Sequence, residues 1–156
     1  MSNQIKGNLS GAGLRIGIAV SRYNNEVTEG LLHGAIRALI ATGVKEEDLT
    51  TVEVPGAFEI PFALGLLGKE KKYDALIALG CVIKGETAHF EYIAGAAMRG
   101  ISEMSGKHSI PIACGVLATY TEEQAVARSG DNEENKGSEA ALTAIEMANL
   151  TKQFSQ

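Results

Sequence analysis

Residues 75–83, Ala-Leu-Ile-Ala-Leu-Gly-Cys-Val-Ile, form a continuous apolar run with no charged residue and no polar alternation. A strand with that pattern is buried on both faces, which is the signature of a parallel sheet covered by helices. A short polar turn follows, Lys84-Gly85-Glu86-Thr87, and from Ala88 the composition is helical, with Thr87 placed to act as N-cap. A strand, a glycine-containing turn and a helix start leave backbone N–H groups pointing into open space, a cradle suited to phosphate. His89 lies one or two residues inside that helix start, and histidine is the side chain best matched to moving protons near neutrality. Junctions of this kind also occur without any ligand, so the rest of the chain has to decide.

The remaining elements repeat the pattern. Leu14–Ser21 reads as a first strand, and Glu26–Thr42 as a helix whose apolar residues recur at three and four, stopped by Gly43. Thr50–Val54 is a short strand ended by Pro55-Gly56. Ala57 to Leu64 opens a second helix with Pro61 in its first turn. The helix that starts near His89 runs to about Ser105, and Ile110–Ala118 is the fourth strand. Thr121 starts a short helix reaching Arg128, Gly130–Gly137 reads as a mobile polar surface loop, and an Ala-rich helix spans Ser138 to about Phe154. Alternating strands and helices predict one α/β domain over residues 1–156, a three-layer αβα sandwich on a four-stranded parallel sheet of flavodoxin-like type. Residues 1–13 read as a polar, glycine-spaced arm, either frayed or able to add a strand to a neighbouring subunit.

Composition narrows the function. With 156 residues the chain can bury one sizeable core, and a net charge of −5 without a basic run argues against nucleic acid. No apolar run approaches the roughly 20 residues of a membrane span, and Met1–Gly7 has no apolar signal core, so a cytoplasmic protein is expected. Cys81 and Cys114 sit in apolar runs without a C-x-x-C pair and read as small buried hydrophobes in a reducing compartment. His33, His89 and His108 lack metal-ligand spacing, so no metal site is expected.

In a parallel sheet, ligands bind outside the carboxyl ends of the strands. Here those ends carry Tyr23-Asn24, Ala57-Phe58-Glu59, the stretch from Val82 to His89, and the loop after Ala118. An aromatic, a carboxylate, a glycine turn and a histidine converge there. Residue chemistry alone therefore points to an anionic or phosphate-bearing small molecule, a flat aromatic partner and one proton-transferring histidine.

At these same turns the chain resembles the lumazine synthase family. The matching segments are Ser21-Arg22-Tyr23-Asn24, Val54-Pro55-Gly56-Ala57-Phe58-Glu59-Ile60-Pro61 and Gly80 to Tyr92, followed by Gly115-Val116-Leu117, Glu123-Gln124-Ala125, Arg128, Asn135-Lys136-Gly137 and Glu139-Ala140-Ala141. The resemblance implies condensation of a ribitylaminopyrimidinedione with 3,4-dihydroxy-2-butanone 4-phosphate to 6,7-dimethyl-8-ribityllumazine, with no cofactor. It implies that Tyr23 stacks on the pyrimidine, and that Ala57, Phe58 and Glu59 hold the pyrimidine and its ribityl chain. Cys81, Val82 and Ile83 would offer backbone groups to the pyrimidine edge. Gly85, Glu86, Thr87 and Arg128 would bind phosphate, His89 would shuttle protons, and Lys136 and Glu139 would complete a charged rim. It further implies pentamers with sites shared between neighbours, in some members paired into decamers or closed into an icosahedral shell.

Each of these residues has a plainer reading. Tyr23 can be a turn aromatic, Phe58 partly core and Glu59 a helix-start carboxylate. Arg128 can be a solvated helix end, and Lys136 and Glu139 a surface ion pair of small worth. The chain also departs from the family pattern: Cys114 stands where an aromatic usually lines the pyrimidine pocket, Glu134 where glycine is usual, and Tyr120 where a small or acidic residue is common. Two other functions fit the same residues: a lumazine- or flavin-binding module without turnover, and a structural shell protein. A flavodoxin-type electron carrier fits less well, because Arg22-Tyr23-Asn24-Asn25 lacks the hydroxyls and glycine that would cradle a flavin phosphate.

Overall fold

The computed structural model describes residues 2–154. Four strands, β1 (Ile16–Ser21), β2 (Leu49–Val54), β3 (Ala75–Ile83) and β4 (Ile112–Thr119), form one parallel sheet in the order β2-β1-β3-β4. The helices are α1 (Asn25–Thr42), α2 (Ile60–Lys69), α3 (His89–His108), α4 (Glu122–Ala127) and α5 (Lys136–Phe154). A 3-10 turn, Ala57–Glu59, precedes α2.

The long apolar run resolves into two faces once it is pleated. Ala75, Ile77, Leu79 and Cys81 of β3 join Ile16, Ile18 and Val20 of β1 in a core shared with Leu31, Leu39, Ala141 and Ile145, which lie on α1 and α5. Leu76 and Ala78 point the other way, into a second core with Ala19 of β1 and with Ile60, Leu64, Ala97 and Ile101 from α2 and α3. Successive residues of a strand face opposite sides, so a strand covered by helices above and below must be apolar at every position. The three-layer expectation therefore holds, with β1 and β3 central and β2 and β4 at the rims.

Boundaries differ from the sequence reading where capping chemistry differs. Ala88, not Thr87, is the N-cap residue of α3, but the Thr87 hydroxyl still accepts a hydrogen bond from the His89 backbone N–H at 3.3 Å. Helix α3 runs on to His108, and Ser109 then takes a left-handed conformation with φ 49°. Gly43 closes α1 with φ 112°, a backbone shape that glycine adopts without steric cost.

The amino-terminal arm forms no strand in the described residues. It lies along its own chain: the Asn149 side-chain amide of α5 donates to the Asn8 and Ser10 carbonyls at 2.9 Å, and the Gly11 N–H donates to the Thr42 carbonyl at 2.9 Å. The polar stretch after α4 is also less free than its composition suggests. Asp131 to Glu134 are exposed, but Ser129, Asn135 and Gly137 are buried. The Lys136 N–H donates to the Arg128 carbonyl at 2.9 Å, closing the neck of the loop.

Candidate active site

The chain passes from β1 outward to β2 and then back across to β3, so the strand order reverses between β1 and β3. A crevice opens at the carboxyl ends of strands flanking such a reversal. The turns after β1 and β3 stand on either side of it. Asn24 bridges them, its side-chain amide donating to the Cys81 carbonyl at 3.0 Å. Asn24 is the N-cap residue of α1 and adopts the left-handed conformation (φ 63°); its carbonyl accepts from the Val27 and Thr28 N–H groups, while its side chain makes no cap bond and is turned to this bridge instead. Beyond β1 the ladder continues: Arg22 N–H donates to the Val54 carbonyl at 2.8 Å and Tyr23 N–H to the Pro55 carbonyl at 3.0 Å. Those two bonds hold Tyr23 beside Pro55-Gly56, with its ring 69% exposed.

Three further groups complete this end of the sheet. Ala57 is buried while Phe58 is 59% exposed, so the phenyl ring is presented to solvent rather than to the core. Glu59 folds back, one carboxylate oxygen accepting from the Gly56 N–H at 3.0 Å, which fixes its direction. The backbone N–H groups of Gly85, Glu86 and Thr87 donate to no group among the described residues, and a side chain added at Gly85 would meet nothing within 4 Å. His89 begins α3 directly after them and is exposed. Free N–H groups at a helix start with an adjacent imidazole can hold an anion and exchange protons with whatever carries it.

The other expected residues lie elsewhere. A cavity of about 280 Å³ runs along β4, lined by Cys114 to Thr119 together with Arg128, Lys136, Glu139, Ala140 and Thr143. None of Tyr23, Ala57 to Glu59, Cys81 to Thr87 or His89 lines it. Thr121 and Gln124 form a reciprocal cap at the start of α4, Gln124 N–H donating to the Thr121 hydroxyl at 3.2 Å. Arg128 is delivered at the end of that helix, where its guanidinium donates to the Gln124 carbonyl at 2.9 Å and makes no ion pair among the described residues. Lys136 is occupied, its ammonium 2.8 Å from the Glu139 carboxylate across one turn of α5. One chain thus carries two groups of candidate residues, one at the strand ends and one along the rim strand β4.

The cysteines differ from each other. Cys81 is buried, and loss of solvation pushes its thiol up to about 11, so it is neutral and inert near pH 7. Cys114 is exposed, which corrects the expectation of burial. It lies on the outermost strand, where an apolar neighbourhood in sequence does not guarantee cover from both sides. Its sulfur is 3.5 Å from that of Met98. Among the described residues no three His, Cys, Asp or Glu side chains gather as a metal site, and no helix is long and apolar enough to cross a membrane.

Three residues stood inside the matching segments without a part assigned to them. Asn24 read as an ordinary turn residue and Asn135 as part of a polar loop. Ser21, at the end of β1, is 1% exposed with a hydroxyl that finds no partner among the described residues. Nothing in the residue type marks any of them, since their parts depend on contacts far along the chain.

Comparison with known proteins adds one finding: the family profile described as 6,7-dimethyl-8-ribityllumazine synthase matches residues 13–152. The match takes in both groups of candidate residues.

Proposed function

We propose, for a chain that belongs to the 6,7-dimethyl-8-ribityllumazine synthase family, that it condenses 5-amino-6-(D-ribitylamino)pyrimidine-2,4-dione with 3,4-dihydroxy-2-butanone 4-phosphate in the cytoplasm. The products are 6,7-dimethyl-8-ribityllumazine, phosphate and water, the penultimate step of riboflavin biosynthesis. The observation that carries this reading is the set of free N–H groups at residues 85–87, directly before His89 in the chain and, like the exposed Tyr23 and Phe58, in the turns at the carboxyl ends of the strands.

In this reading Tyr23 and Phe58 flank the flat pyrimidine, and their apolar faces favour stacking. The free carboxylate oxygen of Glu59 accepts from ribityl hydroxyls, while Cys81, Val82 and Ile83 contribute main-chain groups and not the Cys81 thiol. The phosphate rests on the N–H groups of Gly85, Glu86 and Thr87. His89 takes a proton from the attacking amine and returns one as the first water leaves, then assists departure of the phosphate; a second water leaves when the ribitylamino nitrogen closes the ring on the remaining carbonyl. An amine and a ketone need no electron sink, so the reading requires no cofactor. Most of the rate comes from holding two reactants together, an effect worth on the order of 7–11 kcal/mol.

Cys114, Arg128, Lys136 and Glu139 enter the same site from a neighbouring copy. Their distribution on one chain supports this: they line the rim along β4 and not the crevice between β1 and β3. A ring of copies, five in this family's pattern, sets each rim against the next crevice, and such pentamers can pair into decamers or close into an icosahedral shell. With Lys136 engaged by Glu139, Arg128 is the cation left to clamp the phosphate, and its planar fork suits that task.

The test mixes both substrates with the assembled protein and follows lumazine absorbance and phosphate together. Both rise in step if the reading is right. A coloured protein that releases no phosphate indicates a binding module instead. Sharing of the site is tested separately by co-assembling His89→Ala and Arg128→Ala chains. Hybrids more active than either parent support a composite site, and the mean of the two parents refutes it.

A further inference from the structure

We infer that Asn135 is a positioning residue: it sets Arg128 and Lys136 relative to each other and so governs how tightly the phosphate end of a substrate is held. The inference rests on the proposed reading of Arg128 as the phosphate clamp, with Lys136, held by Glu139, beside it on the charged rim.

Asn135 does not line the β4 cavity and is only 2% exposed, yet every hydrogen-bonding position of its side chain is used. Its amide nitrogen donates to the Gly30 carbonyl of α1 at 3.0 Å and to the Gly130 carbonyl of the loop at 2.8 Å. Its carbonyl oxygen accepts from the N–H groups of Gly137 at 2.8 Å and Ser138 at 3.0 Å, capping the first turn of α5. Only this orientation of the amide matches two donors to two carbonyls and one acceptor to two N–H groups. One side chain therefore ties three separate pieces: the loop that leaves Arg128, the helix that carries Lys136, and α1 beneath both.

The backbone bond between Lys136 N–H and the Arg128 carbonyl brings the ends of the loop together but leaves their angle free. The Asn135 contacts remove that freedom by fixing the loop at Gly130 and α5 at its first turn to the same point on α1. Room for the amide is made by Gly34, where a Cβ would lie 2.2 Å from the Asn135 oxygen. Ser138 adds a parallel tie, its hydroxyl donating to the Gly34 carbonyl at 3.1 Å. An Asp131–Arg37 ion pair at 2.8 Å holds the outer part of the loop to α1, but both partners are solvated, so it is the weaker restraint.

Asn135→Asp keeps the acceptor that caps α5 and removes both donors, leaving a carboxylate against two carbonyls. Asn135→Ser keeps a small acceptor and cannot span both carbonyls. Initial rates are measured on the assembled protein with each substrate varied in turn. Both variants should raise the apparent KM for the phosphate-bearing ketone by about tenfold, the scale of one weakened charge-assisted contact. The KM for the pyrimidine and the limiting kcat should stay within about twofold, because no contact to the reacting atoms is removed. Asn149→Ala, which removes a comparable set of amide hydrogen bonds at the far end of α5, should leave both KM values unchanged. Inorganic phosphate should protect wild-type protein against thermal unfolding more than either Asn135 variant.

A fall in stability with unchanged KM values, a parallel change in both KM values and kcat, or failure of both variants to fold would assign Asn135 to folding alone and overturn the inference. Arg128→Ala separates the two levels of the argument. If it leaves the ketone KM unchanged, the reading of the phosphate side is at fault. If it raises that KM and the Asn135 variants do not, the positioning role is at fault.

Discussion

The closest approach between α1 and α5 makes a prediction in which the same substitution has opposite signs at two positions. Gly106 lies inside α3, where alanine is favoured over glycine by about 1 kcal/mol, and Gly137 lies in the first turn of α5, where that preference is weaker. At Gly106 a Cβ meets nothing within 4 Å, so Gly106→Ala should raise stability by up to about 1 kcal/mol. At Gly137 a Cβ would lie 1.9 Å from the Leu31 carbonyl oxygen, whereas real contacts essentially never fall under 3.0 Å. Helix α5 must then retreat by at least the difference, 3.0 − 1.9 = 1.1 Å, and backbone blocks it rather than a side chain that can rotate. Overpacking of this kind costs about 1–3 kcal/mol, and the rigid obstacle puts Gly137→Ala at the upper end. After the helix-propensity gain the net loss is about 2 kcal/mol. In a domain of this size that lowers Tm by roughly 4–8 °C, against a rise of roughly 2–4 °C for Gly106→Ala. Equilibrium denaturation of both variants at one fixed protein concentration checks the pair. If both substitutions stabilise, the α1–α5 contact is not the rigid backbone seam described above and the reasoning fails.

Three further outcomes follow from the geometry. His89→Ala should slow lumazine formation by about 10²- to 10⁴-fold without abolishing it, measured as kcat on folded protein, because positioning survives the loss of the imidazole; complete loss would contradict the weight given to positioning. Ser21→Ala removes a buried hydroxyl without a partner and should raise stability in urea by about 1 kcal/mol; a loss of that size would reveal a partner for the hydroxyl. Iodoacetamide at pH 8 should label Cys114 in the folded protein and spare Cys81, as mapped by mass spectrometry of peptides. The raised Cys81 pKa also has a sign: the folded state keeps a proton that the unfolded state loses, so Cys81's contribution to stability is full below about 9 and lost as pH rises toward about 11.

The parts of the fold that could be read from the sequence are those fixed by local pattern. Ala75–Ile83 read as a strand buried on both sides because nine apolar residues between turns are short for a helix and lack polar alternation, and all but Val82 and Ile83 are buried. Gly43, Pro61 and Thr121 marked helix ends by their own backbone and side-chain chemistry. That the turns after β1, β2 and β3 share one end of the sheet was also legible, because parallel strands end on the same side. What could not be read depended on distant partners. Cys114 and Cys81 have the same kind of neighbours in sequence, and only the strand order exposes one of them. Asn135 sits in the most polar stretch of the chain, so its burial could be known only from the glycines on α1, more than a hundred residues earlier in the chain. The division of the candidate residues between crevice and rim is likewise a property of β4 lying outermost, which no spacing within the chain records.

The seam between α1 and α5 also has a meaning for how the molecule is made. Residues for the crevice are all synthesised by position 89, and those for the rim begin at Cys114 and end at Glu139. A nascent chain emerging amino-terminus first can lay down β1, β2 and β3 and yet hold the Gly30–Gly34 groove of α1 empty until the last helix leaves the ribosome. The half with the free N–H groups is thus able to mature before the rim half, and the Asn135 side chain, bonded to Gly30, Gly130, Gly137 and Ser138, joins the two only when α5 arrives.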